Sequence, residues 1–62
     1  MTGELERAGV RLQRARAAVD QATEQARAAA LAALAEGVAE AGVARTLGVD
    51  RMTIRKWAGK RS

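Results

Sequence analysis

The sequence predicts an all-α protein, in which a long N-terminal helix is followed by two short helices that pack against its end. Residues 3–36 are mostly Ala, Arg, Gln, Glu and Leu, which have high helix propensities, and the chain has no proline. Further along, Val43 and Leu47 are four residues apart and Ile54 and Trp57 are three apart, so each pair lies on one helical face. A glycine separates the two pairs, at the point where the first short helix must end and the chain must turn.

The long helix carries a repeat of apolar residues every seven positions. Its three large members, Leu5, Leu12 and Val19, share one register, and alanines follow each of them by three residues. An alanine-rich sequence places alanine at many spacings by chance, so the prediction depends on the three large residues. The predicted helix-packing seam consists of Leu5, Ala8, Leu12, Ala15, Val19 and Ala22. It predicts a homodimer of modest stability, because alanine buries little area, and leaves parallel and antiparallel pairing open. A protein partner is a further possible occupant of the same seam.

Gly37 predicts the end of the long helix, because glycine is common just after a helix C-terminus. Leu31 and Leu34, near this end, are expected to close a core against the short helices. The alternative is a helix that continues through Gly37, since the next residues offer no polar N-cap. We therefore divide the chain into residues 1–36, the long helix with its seam and the first helix of the core, and residues 37–62, the two short helices.

Residues 43–57 have the pattern V-A-x-x-L-G-V-x-x-x-x-I-x-x-W, with Gly48 at the bend and Asp50 as a good N-cap for the last helix. This pattern resembles the DNA-binding helix-turn-helix, in the trihelical, homeodomain-like form found in resolvases, transposases and small bacterial or phage regulators. The resemblance covers about residues 28–60. It implies double-stranded DNA as the partner, and it carries over no catalytic residue.

The net charge is divided unequally along the chain. Residues 1–36 carry five arginines and five acidic residues, whereas residues 37–62 carry six basic and two acidic residues, a net charge of +4. All of the excess positive charge therefore lies on the helix-turn-helix half, which is the distribution expected for a polyanionic partner.

The recognition helix is predicted at about residues 51–58, with Ile54 and Trp57 turned inward. Trp57 is assigned to the core rather than to base stacking, because it shares the face of Ile54. The outward side chains suit base edges, since Arg and Lys can donate to guanine and Met can contact a thymine methyl group. The predicted base contacts are Arg51, Met52, Arg55 and Lys56. The predicted phosphate contacts are Arg45, Thr46, Thr53, Lys60 and Arg61. A charged helix face that is merely solvated is the alternative interpretation.

Several classes of site and protein are excluded by residue types. The chain has no cysteine and no histidine, so disulfides and zinc sites of Cys and His are excluded. Without His, Cys or Tyr, and with scattered carboxylates, the chain is not expected to be an enzyme or to use a cofactor. The longest apolar run, residues 28–35, is too short to cross a bilayer, and the N-terminus does not read as a signal peptide. We expect a cytoplasmic, nucleoid-associated protein.

Together these features predict a sequence-specific DNA-binding protein, a dimeric transcriptional regulator of bacterial or phage type. A dimer would read two half-sites, nominally about 34 Å apart, although a long connecting helix could set a different spacing. The alternatives are a helical interaction or scaffold module with non-specific DNA affinity, and the DNA-binding fragment of a recombinase or transposase.

Overall fold

A computed structural model describes residues 2–60, and these form three α-helices. They are α1 (Thr2–Ala35), α2 (Glu40–Leu47) and α3 (Arg51–Trp57). The all-α prediction is confirmed, with α3 ending one residue before the predicted end because Ala58 is its C-cap. The molecule measures 53 × 22 × 18 Å. This elongation follows from α1, since 34 residues at about 1.5 Å each give a rod of about 51 Å.

Most of α1 is a solvated rod, and only its last turns join the core. From Glu4 to Gln25 every residue is exposed except the half-buried Gly9. The helix ends where glycine was predicted to end it: Gly37 has φ +96°, and the Val38 N–H donates to the Ala33 carbonyl at 3.0 Å. This bond is the six-residue closure of a Schellman turn, so the alternative of a helix continuing past Gly37 is wrong.

The core is small and lies where the three helices meet. Its buried members are Ala30 of α1, Val43 and Ala44 of α2, and Ile54 of α3, which is 0% exposed. The partly buried residues packed against them are Ala33, Leu34, Leu47, Val49 and Trp57. The predicted core positions of Val43 and Ile54 are confirmed, whereas Leu31 is only half-buried. Trp57 packs against the core but keeps part of its ring in solvent.

The bend between α2 and α3 follows directly from two residues. Gly48 has φ +72°, a left-handed conformation that costs L-residues about 1–2 kcal/mol and glycine almost nothing. The Val49 N–H then donates to the Ala44 carbonyl at 3.0 Å, which closes the end of α2. Asp50 caps α3, as predicted, by accepting from the Thr53 N–H at 2.8 Å. The start of α2 has no such cap, because Ala39 occupies the N-cap position.

None of the helices within residues 2–60 combines the length and the apolar character that a bilayer crossing requires.

Candidate nucleic-acid interface

The face of α3 opposite the core carries its exposed side chains. Ile54 fixes this orientation, because it is completely buried against α1 and α2. Met52 is then 56% exposed, and Arg51 and Lys56 also face solvent. Three of the four side chains predicted to contact bases are therefore exposed on one surface of the short helix.

Arg55, the fourth predicted base contact, does not simply point outward. Its side chain is 32% exposed, and its Nη1 donates to the Glu40 Oε1 at 3.1 Å. Arg55 was predicted among the outward side chains of α3, and the structure adds that it is partly covered and paired with Glu40. Helical periodicity predicted the approximate direction of the Arg55 side chain. It could not reveal its partner, because the Glu40 carboxylate lies 15 residues earlier in the chain.

Glu40 is the centre of a cluster of three cations, which we call the Glu40 cluster: Glu40, Arg51, Arg55 and Lys60. Besides Arg55, it accepts from the Arg51 Nε at 3.4 Å and from the Lys60 Nζ at 3.0 Å. The Glu40 side chain is 13% exposed, while its partners keep between 32% and 64% of their side-chain surface in solvent. The carboxylate is thus covered by the cations around it.

Three local features bring the Glu40 cluster together. Glu40 is the first residue of α2, where an acidic side chain is also favoured by the helix dipole. Arg51 and Arg55 are four residues apart on α3 and therefore share one helical face. Lys60 is turned back toward them because Gly59 has φ +79° and the Lys60 N–H donates to the Arg55 carbonyl at 2.8 Å.

Both acidic residues of residues 37–62 have a perturbed pKa. The hydrogen bond from Lys60 is the main reason why the pKa of Glu40 is lowered, and the charges of Lys60 and Arg55 and the bond from Arg51 add to it against partial desolvation. The pKa of Asp50 is lowered by the Thr53 N–H and then by the Thr53 hydroxyl, both of which donate to its carboxylate. Both side chains are therefore held in the charged form.

The predicted phosphate contacts divide into different environments. Arg45 is exposed on α2, and nearby Thr46 is exposed with its hydroxyl donating to the Gly42 carbonyl at 2.9 Å. The Thr53 hydroxyl donates to Asp50 at 2.9 Å, so it takes part in the helix cap. Lys60 belongs to the Glu40 cluster. Arg61 lies outside the described residues.

Sequence reasoning missed Glu40. A signal was present, because Glu40 is one of only two acidic residues in the basic half of the chain, and Asp50 already had a role as an N-cap. The remaining acid could have been expected to pair with the surrounding cations. Its three partners are 11, 15 and 20 residues away, however, and only the folded bend at Gly48 brings them within reach.

The predicted seam on α1 lies on the solvated part of the rod. Leu5, Leu12 and Val19 are 76%, 51% and 63% exposed. The intervening alanines of the seam, Ala8, Ala15 and Ala22, are exposed as well. The seam is therefore well separated from the core that α1 makes with α2 and α3.

The outer face of α3 offers chemistry for binding an anion. Among residues 2–60 there is no group of three or more His, Cys, Asp or Glu side chains placed to bind an ion. The functional groups presented by α3 and the turn after it are hydrogen-bond donors with positive charge, which suit phosphate oxygens and the acceptor atoms of guanine.

A family model described as the homeodomain-like domain matches residues 21–59, which is more than half of the chain and includes all of α2 and α3. No curated protein and no solved structure matches the chain significantly. Such a helix-turn-helix suggests DNA binding, and domains of this type are typically without enzyme activity. With three helices that meet in one core and a bend at Gly48 before a cationic third helix, the chain belongs to the homeodomain-like helix-turn-helix family.

Proposed function

We propose that the protein binds double-stranded DNA in a sequence-specific way, with α3 in the major groove, and that it acts as a dimeric transcriptional regulator. The observation that carries the proposal is the cationic outer face of α3, presented by a helix-turn-helix frame. In that frame the third helix is the element that enters the groove, so its exposed donors meet base edges. The base contacts proposed are Arg51, Met52, Arg55 and Lys56. The phosphate contacts proposed are Arg45, Thr46, Thr53, Lys60 and Arg61.

Arg51 and Met52 are favoured as base contacts by their exposure near the start of α3. Residues at the start of a recognition helix commonly meet base edges. A bidentate arginine–guanine contact discriminates by about 1–3 kcal/mol against the wrong base, and Met52 can add an apolar contact with thymine. Arg45 and Lys60 lie outside α3, where phosphate contacts would fix the orientation of the domain without reading sequence.

The homodimer is supported by the exposed seam on α1. Three large apolar side chains in one register on a solvated helix are unfavourable for a monomer, and a second copy of α1 would cover them. The N-terminal rod also lies away from α3, so pairing there would leave both recognition helices accessible. The dimer would bind two operator half-sites on the nucleoid, in the cytoplasm. It would regulate transcription by occupying that operator.

The side chains of α1 favour antiparallel pairing of the two copies. In an antiparallel seam Leu5 lies across from Ala22 of the second copy, Leu12 across from Ala15, and Val19 across from Ala8, so that each large residue meets a small one. In a parallel pair Arg11 of each copy would instead face Arg16 of the other copy, beside the seam. That arrangement places like charges together twice along the dimer.

Antiparallel pairing has a consequence for the operator. The symmetry axis would pass between residues 13 and 14, about 25 Å along α1 from Ala30, where the helix-turn-helix core begins. The two cores would then be about 50 Å apart, which exceeds the roughly 34 Å of one turn of DNA. We therefore propose half-sites separated by more than one helical turn.

The orientation can be tested by disulfide formation, because the chain has no cysteine. The variants Ala8→Cys and Val19→Cys are mixed, oxidised and separated by mass. Antiparallel pairing gives the mixed disulfide in preference to both self-linked species, because positions 8 and 19 face each other only in that arrangement. Preferential self-linking of each variant would show parallel pairing.

The DNA-binding proposal is tested by selection from a random duplex pool, followed by titration of the selected duplex and a scrambled one at several salt concentrations. Specific readout leaves the selected duplex favoured at high salt, because the electrostatic term is common to both duplexes. Equal loss of affinity for both would instead indicate the alternative, a helical interaction or scaffold module with incidental DNA affinity. The other alternative, the DNA-binding fragment of a recombinase or transposase, would also keep its preference for the selected duplex at high salt.

A further inference from the structure

We propose that Glu40 is a specificity-determining residue of the DNA interface, which holds Arg51 and Arg55 in position for base edges and keeps part of their charge from the DNA backbone. This inference rests on the proposed DNA-binding function. It is carried by the geometry of the Glu40 cluster, in which one nearly covered carboxylate accepts from both arginines and from Lys60 at 3.0–3.4 Å.

The contacts leave the arginines able to bind a base. A guanidinium has five N–H donors on three nitrogens, and the bond to Glu40 uses the Nε of Arg51 and the Nη1 of Arg55. The remaining nitrogens of each group can still make two parallel bonds to guanine. Glu40 therefore restricts where the guanidinium groups lie without occupying all of their donors, and this lowers the entropy lost when they bind.

The Glu40 cluster is not explained by stability alone. Exposed ion pairs typically contribute little to folding, and all three partners of Glu40 keep at least 32% of their side-chain surface in solvent. Yet Glu40 itself is only 13% exposed, and three cations from α3 and the turn after it converge on it. Two of these cations are proposed base contacts and the third is a proposed phosphate contact. Glu40 therefore affects both the position of the base-contacting arginines and the positive charge that the surface presents to DNA.

Removing the carboxylate charge should have opposite effects on general and specific binding. In Glu40→Gln the cations are released and can pair with phosphates, so affinity for a scrambled duplex rises and its salt dependence steepens by about one phosphate contact, or roughly 0.9 in the log–log slope. The arginines also lose their fixed position, so the preference for the selected duplex over the scrambled one falls by about tenfold, within the range of one bidentate contact.

The experiment measures the dissociation constants of the wild type and three variants for both duplexes at several salt concentrations. Glu36→Gln is the matched control, because it removes the same charge from an exposed residue just after α1. It should raise affinity for both duplexes alike and leave their ratio unchanged. Glu40→Asp keeps the charge but shortens the side chain by one methylene, so it should lower the ratio while the salt slope stays at the wild-type value. Circular dichroism establishes that each variant is folded.

The outcomes separate this inference from the function on which it rests. A wild type that prefers no duplex overturns the proposed sequence-specific binding, and the role of Glu40 with it. A selective wild type whose preference is unchanged by Glu40→Gln and by Glu40→Asp overturns the role of Glu40 alone. A preference lowered in both, together with an unchanged ratio in Glu36→Gln, supports it.

Discussion

Truncation of Ile54 should destabilise the helix-turn-helix far more than truncation of an exposed side chain of α3. Ile54 is the one large side chain in the described residues that is fully buried, and it contacts a core whose other buried members are Ala30, Val43 and Ala44. The substitution Ile54→Ala removes three buried carbon atoms, which at about 0.8 kcal/mol each correspond to about 2.4 kcal/mol of lost burial. The cavity left behind adds to this, so the total is expected within the usual range of about 2–5 kcal/mol.

Such a loss is large for this protein. A chain of 62 residues is expected to have an unfolding free energy of about 3–9 kcal/mol, so Ile54→Ala should leave the unit only marginally folded. Urea unfolding followed by the fluorescence of Trp57, the single tryptophan, reports on the core directly because Trp57 packs against it. Met52→Ala is the matched control, since Met52 lies on the same helix and is 56% exposed. Equal losses of stability in the two variants would refute the assignment of Ile54 to the core.

Three further predictions concern the bend, the acidic side chains and the seam. Gly48→Ala should destabilise the core by about 1–2 kcal/mol, because residue 48 has φ +72°. Gly9→Ala in α1 should instead stabilise the helix by about 0.5–1 kcal/mol, since a Cβ there meets nothing within 4 Å. Urea midpoints and helicity measured by circular dichroism check both variants. The pKa values of Glu40 and Asp50 are lowered below the ordinary 4.5 and 3.8, so the stability that these carboxylates contribute is present above those values and is lost as the pH falls through and below them. The urea midpoint should therefore fall between pH 7 and pH 2, and the fall should be smaller in Glu40→Gln. Leu12→Asp on the seam should shift the mass measured by sedimentation toward that of the monomer. Val10→Asp is the control and should not shift it, because Val10 is 46% exposed on another face of α1. An equal effect of both variants would count against the seam.

The features predicted correctly from sequence are those set by local chemistry. The bend at Gly48 and the cap at Asp50 depend on the backbone preferences of one residue each, and the burial of Ile54 depends on helical spacing. Ala30 was not predicted as a core residue, although it is 1% exposed. With sixteen alanines in the chain, neither composition nor periodicity shows which alanine of α1 lies between the helices, because that depends on where α2 crosses α1.

The charged interface was harder to predict for a related reason. Charge counting identified the basic half of the chain, and periodicity identified the outward face of α3. Neither could show that Arg55 is shared with Glu40, since that contact joins the start of one helix to the middle of another. Long polar side chains have several rotamers of similar energy, so their partners are decided by the tertiary structure and not by their own sequence position.

The structure also assigns different sources of stability to the two parts of α1. Its last turns are held by the core, but residues 4–25 are solvated and depend on helix propensity alone. Helix ends that no tertiary contact holds tend to fray, so the N-terminal part of the rod should be partly frayed in a monomer. Association through the seam would remove that fraying, since any partner that binds only the helical form stabilises it by mass action. Helicity measured by circular dichroism should therefore rise with protein concentration in the wild type, while Leu12→Asp should show a lower helicity that does not change with concentration. A wild-type helicity that stays constant from the monomer to the highest concentration would mean that the rod is stable alone, and the structural need for a second copy would disappear.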